Sequence, residues 1–351
     1  MRIHMLAWRD TVHDQAGGSE LVLHELADRL TRRGHEVTLF HGGPSASPAY
    51  RSISVGGTYD QYLRMPLATR RNGPPPDVIL DVSNGIPFFS PLWHRAPAVL
   101  LVHHVHTDQW AMQFPAPVAA VGRWLEGTAV PRAYRNAPVV AISASTRDSL
   151  VGLGVDAGRI SVIEMGLTFT PTCRRPAPEP RFIVLGRLVP HKRVELALAC
   201  WERVRPVTGG ELVIAGDGPE IDRLRRMAGT GVRFIGRVDE EQKRAELARA
   251  WLLVHPAHHE GWGTVILEAA AAGAPTVGFD VPGVRDSVVD GVTGRLAGTD
   301  DELVQHWIAL ATDHATRAAM GRAAAARATH YGWDRPVDDV EAVLRATAGG
   351  R

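Results

Sequence analysis

The stretch Glu260-Gly-Trp-Gly-Thr-Val-Ile-Leu-Glu268 sets two carboxylates with seven residues between them. Gly261 and Gly263 allow an unusual backbone path, and the alanine-rich apolar run that follows reads as a buried helix. Glu260 then falls on a loop and Glu268 about one turn into the helix. Between them the helix start offers backbone N–H groups to an anion. Carboxylates accept from hydroxyls and backbone N–H groups donate to phosphate. The segment therefore suits a ligand that is both polyhydroxylated and phosphorylated.

A second constellation, Gly186-Arg187-Leu-Val-Pro-His-Lys192-Arg193, follows an apolar run that reads as a strand. Arg187 as a planar fork and Lys192 as a point charge could converge on one diphosphate. The competing reading is a solvated basic turn; the strand–turn placement and Pro190 before the next helix favour the site, and Arg193 is assigned to the surface. Gly216-Asp217-Gly218-Pro219 and Gly236-Arg237-Val238 each end a strand as well, where ligands of open α/β sheets bind. Pro219 at a first helical position fits a structural turn equally, and Gly236–Val238 could edge a base through backbone contacts. Near the amino end, Gly17-Gly18-Ser19-Glu20 joins the first strand to the first helix. Two glycines there let backbone approach a phosphate, whereas a plain turn capped by Ser19 explains them too. No G-x-G-x-x-G or Walker pattern occurs there, which counts against a dinucleotide or ATP site.

Sixteen histidines invite a metal reading, above all His103-His104-Val-His106 after a buried strand, with His255, His258, His259 and Glu260. His103 and His104 alternate sides if the strand continues, and the chain holds no D-x-D pair. The expectation is no metal, with His103, nearest the strand end, donating a hydrogen bond to a ligand hydroxyl or to backbone. Asp81 and Ser83-Asn84 end another strand and could line the same cleft. Ser143 and Ser145 follow a further strand, with Ser145-Thr146 read as a helix cap. Trp93, Trp110 and Trp124 with Arg123, Arg132 and Arg135 read first as packing, and second as an acceptor-facing or membrane-facing surface.

Short apolar runs alternate with amphipathic segments throughout, the pattern of parallel α/β folds. Strands are expected at residues 2–8, 36–40, 78–82, 98–103, 138–142 and 160–163, then at 182–185, 212–215, 232–235, 252–255 and 276–279. The first helix has Ser19 as N-cap, Leu23, Leu26 and Leu30 on one face, and Gly34 closing it. Four prolines between Gly166 and Pro180 break the pattern, which restarts afterwards, so that segment reads as a linker. The organisation is thus residues 1–165, a linker at 166–180, residues 181–333, and a tail at 334–351. In the tail Val337, Val340, Val343 and Leu344 have helical spacing, so it should pack rather than trail.

At 351 residues the chain suits two domains, and 45% hydrophobic with 22% charged residues is ordinary for a globular protein. A net charge of +1 gives no global case for nucleic acid. Cys173 and Cys200 are the two cysteines, and their spacing suggests neither a disulfide framework nor zinc, so a reducing compartment is expected. The amino end lacks the length and cleavage site of a secretory signal. No apolar run approaches the ~20 residues needed to cross a bilayer. The expected location is cytoplasmic, with peripheral contact at the inner membrane face left open; the segment of Arg64, Arg70 and Arg71 and the tryptophan-containing region leave a lipid-linked or polysaccharide ligand open.

Taken in order, Gly17-Gly18, His103, Gly186-Arg187 with Lys192, Gly216-Asp217-Gly218-Pro219 and the Glu260/Glu268 pair resemble the retaining glycosyltransferases of family 4. The likeness runs from Met1 to the last helix. It implies the GT-B fold, an α/β architecture of two Rossmann-like parallel-sheet domains facing across a deep cleft. A terminal helix near Tyr331-Gly-Trp333-Asp334 would cross back to the first, acceptor-side domain. It implies transfer of a sugar from a UDP- or GDP-linked donor to a small-molecule, glycan or lipid-linked hydroxyl, with retention and without metal or other cofactor. By resemblance Arg187 and Lys192 bind the donor diphosphate, Gly17 and Gly18 close on it, and His103 lies beside the sugar. Glu260 meets the sugar hydroxyls, helped by backbone from Gly261 to Thr264, and Glu268 holds the ribose. Gly216, Gly218, Arg237 and Val238 complete the donor site. Trp262 stands where phenylalanine is commoner, and Asp286 where glutamate is usual. A sugar-nucleotide 2-epimerase and a non-catalytic sugar-nucleotide binder are the rival readings.

Overall fold

The computed structural model describes residues 1–13, 16–46, 48–107, 109–169 and 173–350. The chain divides into two units, Met1–Gly166 with Trp333–Arg351, and Leu167–Gly332. The first runs β1 (Arg2–Arg9), α1 (Gly18–Arg32), β2 (Glu36–Gly42), β3 (Arg51–Ser54), α2 (Gln61–Arg71), β4 (Val78–Asn84), β5 (Ala98–His104), α3 (Gln109–Gln113), α4 (Ala116–Trp124), α5 (Val130–Ala133), β6 (Val139–Ala141), α6 (Ala144–Gly152) and β7 (Ile160–Val162). The second runs β8 (Arg181–Leu185), α7 (Val194–Thr208), β9 (Glu211–Ala215), α8 (Ile221–Met227), β10 (Val232–Gly236), α9 (Glu240–Arg249), β11 (Leu252–His255), α10 (Thr264–Ala271), β12 (Thr276–Phe279), α11 (Val284–Ser287), β13 (Gly294–Ala297), α12 (Asp300–Thr312) and α13 (His314–Ala328), before α14 (Asp334–Gly349) ends the chain.

Each unit holds one wholly parallel sheet, ordered β3-β2-β1-β4-β5-β6-β7 in the first and β10-β9-β8-β11-β12-β13 in the second. Near-continuous apolar runs such as Ile3 to Ala7 and Leu252 to Val254 are buried, as strands covered by helices on both faces require. In the second unit Phe182, Trp201 and Trp307 pack as an aromatic cluster on one side of the sheet, with centroids 5.3–5.8 Å apart. On the other side lie the alanines of α10 with Ala324 and Ala328 of α13. Both sheets reverse their strand order beside the first strand, between β1 and β4 and between β8 and β11. Such switch points open crevices at the carboxyl ends of the strands.

β3 and β13 lie outside the expected strands. Both are edge strands, and their sequences, Arg-Ser-Ile-Ser and Gly-Arg-Leu-Ala, lack the apolar run of a central strand. Two helix caps also differ. Gly17, not Ser19, precedes α1, because Glu20 rather than a serine caps the Gly17 N–H. Ser143, not Ser145, caps α6 by accepting from Thr146 N at 3.1 Å.

Of the proline-rich segment, residues 170–172 lie outside the described residues. Residues after it are held against the second unit. Arg175 N donates to Ala248 O at 3.1 Å, Ala177 N to Arg249 O at 2.9 Å, and Trp251 Nε1 to Ala177 O at 2.8 Å. α14 buries Val337, Val340 and Leu344 against α1, β4 and β5 of the first unit. Its Glu341 accepts from Arg33 at 2.9 Å and contacts His35 Nε2 at 3.0 Å.

Candidate active site

In the second unit the loops after β8 and β11 share a small pocket lined by Gly186, Arg187, Lys192, His255 and Pro256. This is the switch point of the sheet. Pro190–Lys192 forms one tight helical turn after β8, and His258 N donates to His191 O at 3.0 Å, tying that turn to the loop after β11. The Lys192 ammonium donates to Glu260 Oε1, and His255 Nε2 lies 2.8 Å from the same oxygen. The Lys192 and Glu260 side chains are 22% and 14% exposed. Burial pushes the Glu260 carboxyl up, but the Lys192 ammonium and the His255 contact outweigh it and hold it well below the usual carboxylate range.

Backbone packing fixes where Glu260 sits. Its N–H donates to Pro282 O at 3.1 Å, and a Cβ on Gly283, whose φ is +80°, would fall 2.1 Å from Glu260 O. Only glycine allows that approach. Asp286 Oδ2 accepts from Gly283 N at 3.0 Å, so the aspartate completes the turn that supports Glu260.

Thr264 is the first residue of α10, and no side chain among the described residues caps that helix at Gly263. Glu268 is buried on it, and burial pushes its carboxyl above the usual range although the Lys243 ammonium opposes this. Lys243 Nζ is 2.6 Å from Glu268 Oε1 and 2.8 Å from Glu240 Oε1. Half-buried Gly261 lies in the loop between. Trp262 is buried, its ring edge-on to Tyr331 at 5.4 Å and its carbonyl accepting from Ser287 Oγ. Its side chain serves as a wedge under the loop.

The glycine loops after β8, β9 and β10 bond to one another. Gly186 N donates to Ala215 O at 3.0 Å, Leu188 N to Asp217 O at 2.9 Å and Gly216 N to Gly236 O at 2.7 Å. A Cβ on Gly216 would fall 1.8 Å from Gly186 O, and one on Gly218 2.4 Å from Leu188 O. Close packing of neighbouring loops therefore accounts for both glycines. Val238 packs on the core below α10, and Arg237 is exposed. Arg193 departs from its expected surface place. It is half-buried, its guanidinium 4.9 Å from the Phe279 ring centroid and 3.8 Å from Asp300.

In the first unit the loop at Gly17 and the end of β5 carry the other expected residues. Gly17 N donates to Glu20 Oε2 at 2.8 Å, so a protein carboxylate already occupies the N–H assigned to a phosphate. Gly18 begins α1. Buried Arg9 pairs with Glu20 at 2.9 Å, and Asn84 Nδ2 donates to Ser19 Oγ at 3.1 Å. Burial pushes the Glu20 carboxyl up, yet Arg9 and the Gly17 N–H bring it below its ordinary value. His103 is buried, and its Nε2 has no hydrogen-bond partner among the described residues. Burial lowers its pKa to about 4, so the imidazole is neutral at pH 7. His104 stacks on His106 at 4.0 Å, and Glu126, on a π-helical turn, accepts from His106 N at 2.6 Å and from Trp110 Nε1 at 3.1 Å. Asp81 is turned inward and accepts from Phe88 N and Ser90 N at 3.0 Å each and from Tyr134, a structural knot rather than a cleft residue.

Sequence reasoning did not single out Lys243, Glu126 or the Arg9–Glu20 pair. The one local signal for Lys243 is its place in the first turns of a helix opened by the Asp239/Gln242 capping box.

Two family profiles match nearly the whole chain: Glycosyltransferase Family 4 over residues 16–168 and Glycosyl transferases group 1 over residues 173–327. The chain belongs to the group 1 glycosyltransferases, and its two sheets are those of the GT-B fold. D-inositol 3-phosphate glycosyltransferase of Mycolicibacterium paratuberculosis is 28% identical over 94% of this chain and 86% of its own length. Glycogen synthase of Mycobacterium tuberculosis is 36% identical over 44% of this chain, which spans 40% of that relative's length. Among solved structures, Anabaena HepE in complex with UDP and glucose superposes with a TM-score of 0.79 at 18% identity, covering 99% of this chain and 100% of that one.

Proposed function

We propose that this chain moves a sugar from a nucleoside diphosphate donor to a hydroxyl acceptor, with retention of anomeric configuration and without a metal ion. The observation that carries the reading is the Lys192–Glu260 pair beside Arg187, at the carboxyl ends of β8 and β11. Cleaving the bond between the anomeric carbon and the diphosphate oxygen develops negative charge on the leaving group. Arg187, Lys192 and the uncapped start of α10 are fixed positive groups that stabilise such charge where it forms. They supply the role a divalent cation fills elsewhere. The acceptor oxygen bonds to the anomeric carbon from the face the diphosphate leaves, and its proton passes to a phosphate oxygen of the donor. Glu260 accepts from hydroxyls of the transferred sugar and Glu268 from those of the ribose. Neutral His103 can donate a hydrogen bond to the sugar without carrying charge to it. The UDP bound to HepE and the names of the relatives support a nucleotide-sugar donor and a sugar or glycoconjugate acceptor, and we take the donor as UDP- or GDP-linked.

The test is donor turnover in EDTA, following nucleotide release from UDP- and GDP-sugars and the first anomer of the freed sugar by NMR. Arg187→Ala, Lys192→Ala and Glu268→Ala should each slow release at least ~10-fold, or ~1.4 kcal/mol in the barrier. Wild-type rates in folded variants, activity restored only by added manganese, or an inverted first anomer would each overturn the corresponding part. An epimerised donor with no transfer would replace the reading with the epimerase.

A further inference from the structure

We propose that Lys243 is the positioning residue for Glu268, orienting its carboxylate to accept the 2′,3′-diol of the donor's ribose. This rests on the donor-site reading above and adds to it a residue on a different helix.

Lys243 lies on α9, whose start is fixed by a reciprocal cap. Asp239 Oδ1 accepts from Gln242 N at 2.8 Å, and Gln242 Oε1 accepts from Asp239 N at 3.3 Å. From there the Lys243 side chain, 12% exposed, reaches across to α10. Its ammonium bridges two carboxylates of unequal surroundings: Glu240 is 66% exposed and Glu268 9% exposed. Water can replace Lys243 at Glu240 at little cost. At Glu268 it cannot, because a buried carboxylate that loses its partner is left uncompensated. The pairing with Glu268 is thus the one that determines structure.

Geometry assigns the remaining acceptor capacity. Lys243 engages Oε1 of Glu268, and an ammonium oriented on one oxygen restricts rotation of the carboxylate plane. Oε2 and the second lone pair of Oε1 are left to accept from two vicinal hydroxyls. Without Lys243 the buried carboxyl has two ways to relieve its charge. It can take up a proton, which turns one acceptor into a donor, or it can rotate toward solvent. Either change removes diol recognition while leaving the base and diphosphate contacts untouched. Ribose recognition is therefore the property that separates positioning by Lys243 from direct contact with the ligand.

The experiment is calorimetric titration of the full chain, in EDTA, with UDP, GDP and their 2′,3′-dideoxy analogues. Wild type should prefer the ribonucleotide that it binds by at least ~10-fold over the dideoxy form, as a buried charged acceptor for hydroxyls implies. In Lys243→Met the preference should fall below ~3-fold with dideoxy affinity unchanged, and Lys243→Arg should keep it. Glu240→Gln, which leaves the Lys243–Glu268 pair intact, should keep it as well. If Lys243→Met is poorly folded, Lys243→Gln and the Glu240→Gln control still decide the matter. A preference that survives loss of the charge overturns the proposal. Equal loss of both affinities also overturns it, since Lys243 would then touch base or phosphate. Wild-type protein that binds neither UDP nor GDP instead overturns the donor-site reading itself.

Discussion

Replacing Lys192 by methionine keeps the aliphatic stem and deletes the charge that faces Glu260. The pair is mostly desolvated, with 22% and 14% of the two side chains exposed. Breaking a fully buried pair costs about 3–5 kcal/mol, and an exposed one contributes below ~1 kcal/mol. His255 remains 2.8 Å from Glu260 Oε1 as a partial partner. An intermediate loss of ~2 kcal/mol at pH 8 follows, a ~30-fold shift in the folding equilibrium. Its pH dependence has a definite sign. In wild type the Glu260 carboxyl is held below its ordinary value of 4.5, so its contribution is present above that value and lost as pH falls through the lower folded-state value. In the variant burial pushes the Glu260 carboxyl up with only the His255 contact left to oppose it, so its folded-state value rises above the wild-type one. Its ionisation then contributes less to folding, and the gap between the two proteins should widen from pH 3 to pH 8.

Urea denaturation at both pH values, on wild type, Lys192→Met, Glu260→Gln and the double variant, reads this directly. The double variant should recover more than ~1 kcal/mol over the sum of the singles, because the amide removes the charge that Lys192 compensated. Equal stability of Lys192→Met and wild type at pH 8, or strict additivity, would refute the account of Glu260 as a buried, compensated carboxylate.

Gly283→Ala should lower nucleotide binding at least ~10-fold and the melting temperature with it, because the new methyl meets Glu260 O at 2.1 Å in a left-handed backbone; unchanged titrations of UDP and GDP would exclude the steric argument. Trp262→Phe should lose no more than ~1 kcal/mol, far less than the ~3–5 kcal/mol of truncation to alanine, since it sheds a buried indole N–H with no partner among the described residues; denaturation midpoints of the two variants settle it. Glu341, held down to about 2 chiefly by its hydrogen bond from Arg33, stabilises α14 above its ordinary 4.5, and this is lost as pH falls from there toward 2. Hydrogen-exchange protection of α14, relative to the intrinsic rate at each pH, should therefore fall selectively at pH 3, and Glu341→Gln should show the lower protection already at pH 7.

Local structure carried by contiguous residues is legible in the sequence, and contacts assembled across the fold are not. The Glu260–Glu268 segment could be read because its turn glycines, helix start and carboxylates are neighbours in sequence, and α10 begins at Thr264. Lys192 was expected to meet a diphosphate, but its carboxylate partner lies 68 residues away and left no local sign. Lys243 is 25 residues from Glu268, on an exposed-looking helix with three acidic or amide neighbours, where a lysine normally reads as surface. His255 was seen only as part of a histidine cluster, whereas its ring nitrogen is engaged with Glu260. Gly216 and Gly218 were read toward a ligand, and their immediate neighbours are the carbonyls of Gly186 and Leu188. Strand-end glycine motifs therefore report backbone crowding first.

Glu260 and Glu268 share a segment, an almost equal burial and a lysine partner each, yet their carboxyls move in opposite directions. The difference lies in the second partner. At Glu260, His255 adds a hydrogen bond to the Lys192 pairing, and the sum overcomes burial. At Glu268, Lys243 is shared with Glu240, whose own charge pushes the Glu268 carboxyl further up. One carboxylate is thus firmly ionised beside the cations that would face a diphosphate, and a protonation there would free Lys192. The other is pushed up by burial and by Glu240, and hydroxyl donors would stabilise its ionised form. A ligand bringing negative charge to Arg187 and Lys192 and a diol to Glu268 meets each environment with its complement. Exchanging the two contacts would oppose a phosphate to a buried carboxyl and leave Lys192 paired only with Glu260. Under the proposed function, these opposite shifts set the direction in which a nucleoside diphosphate would lie along the segment.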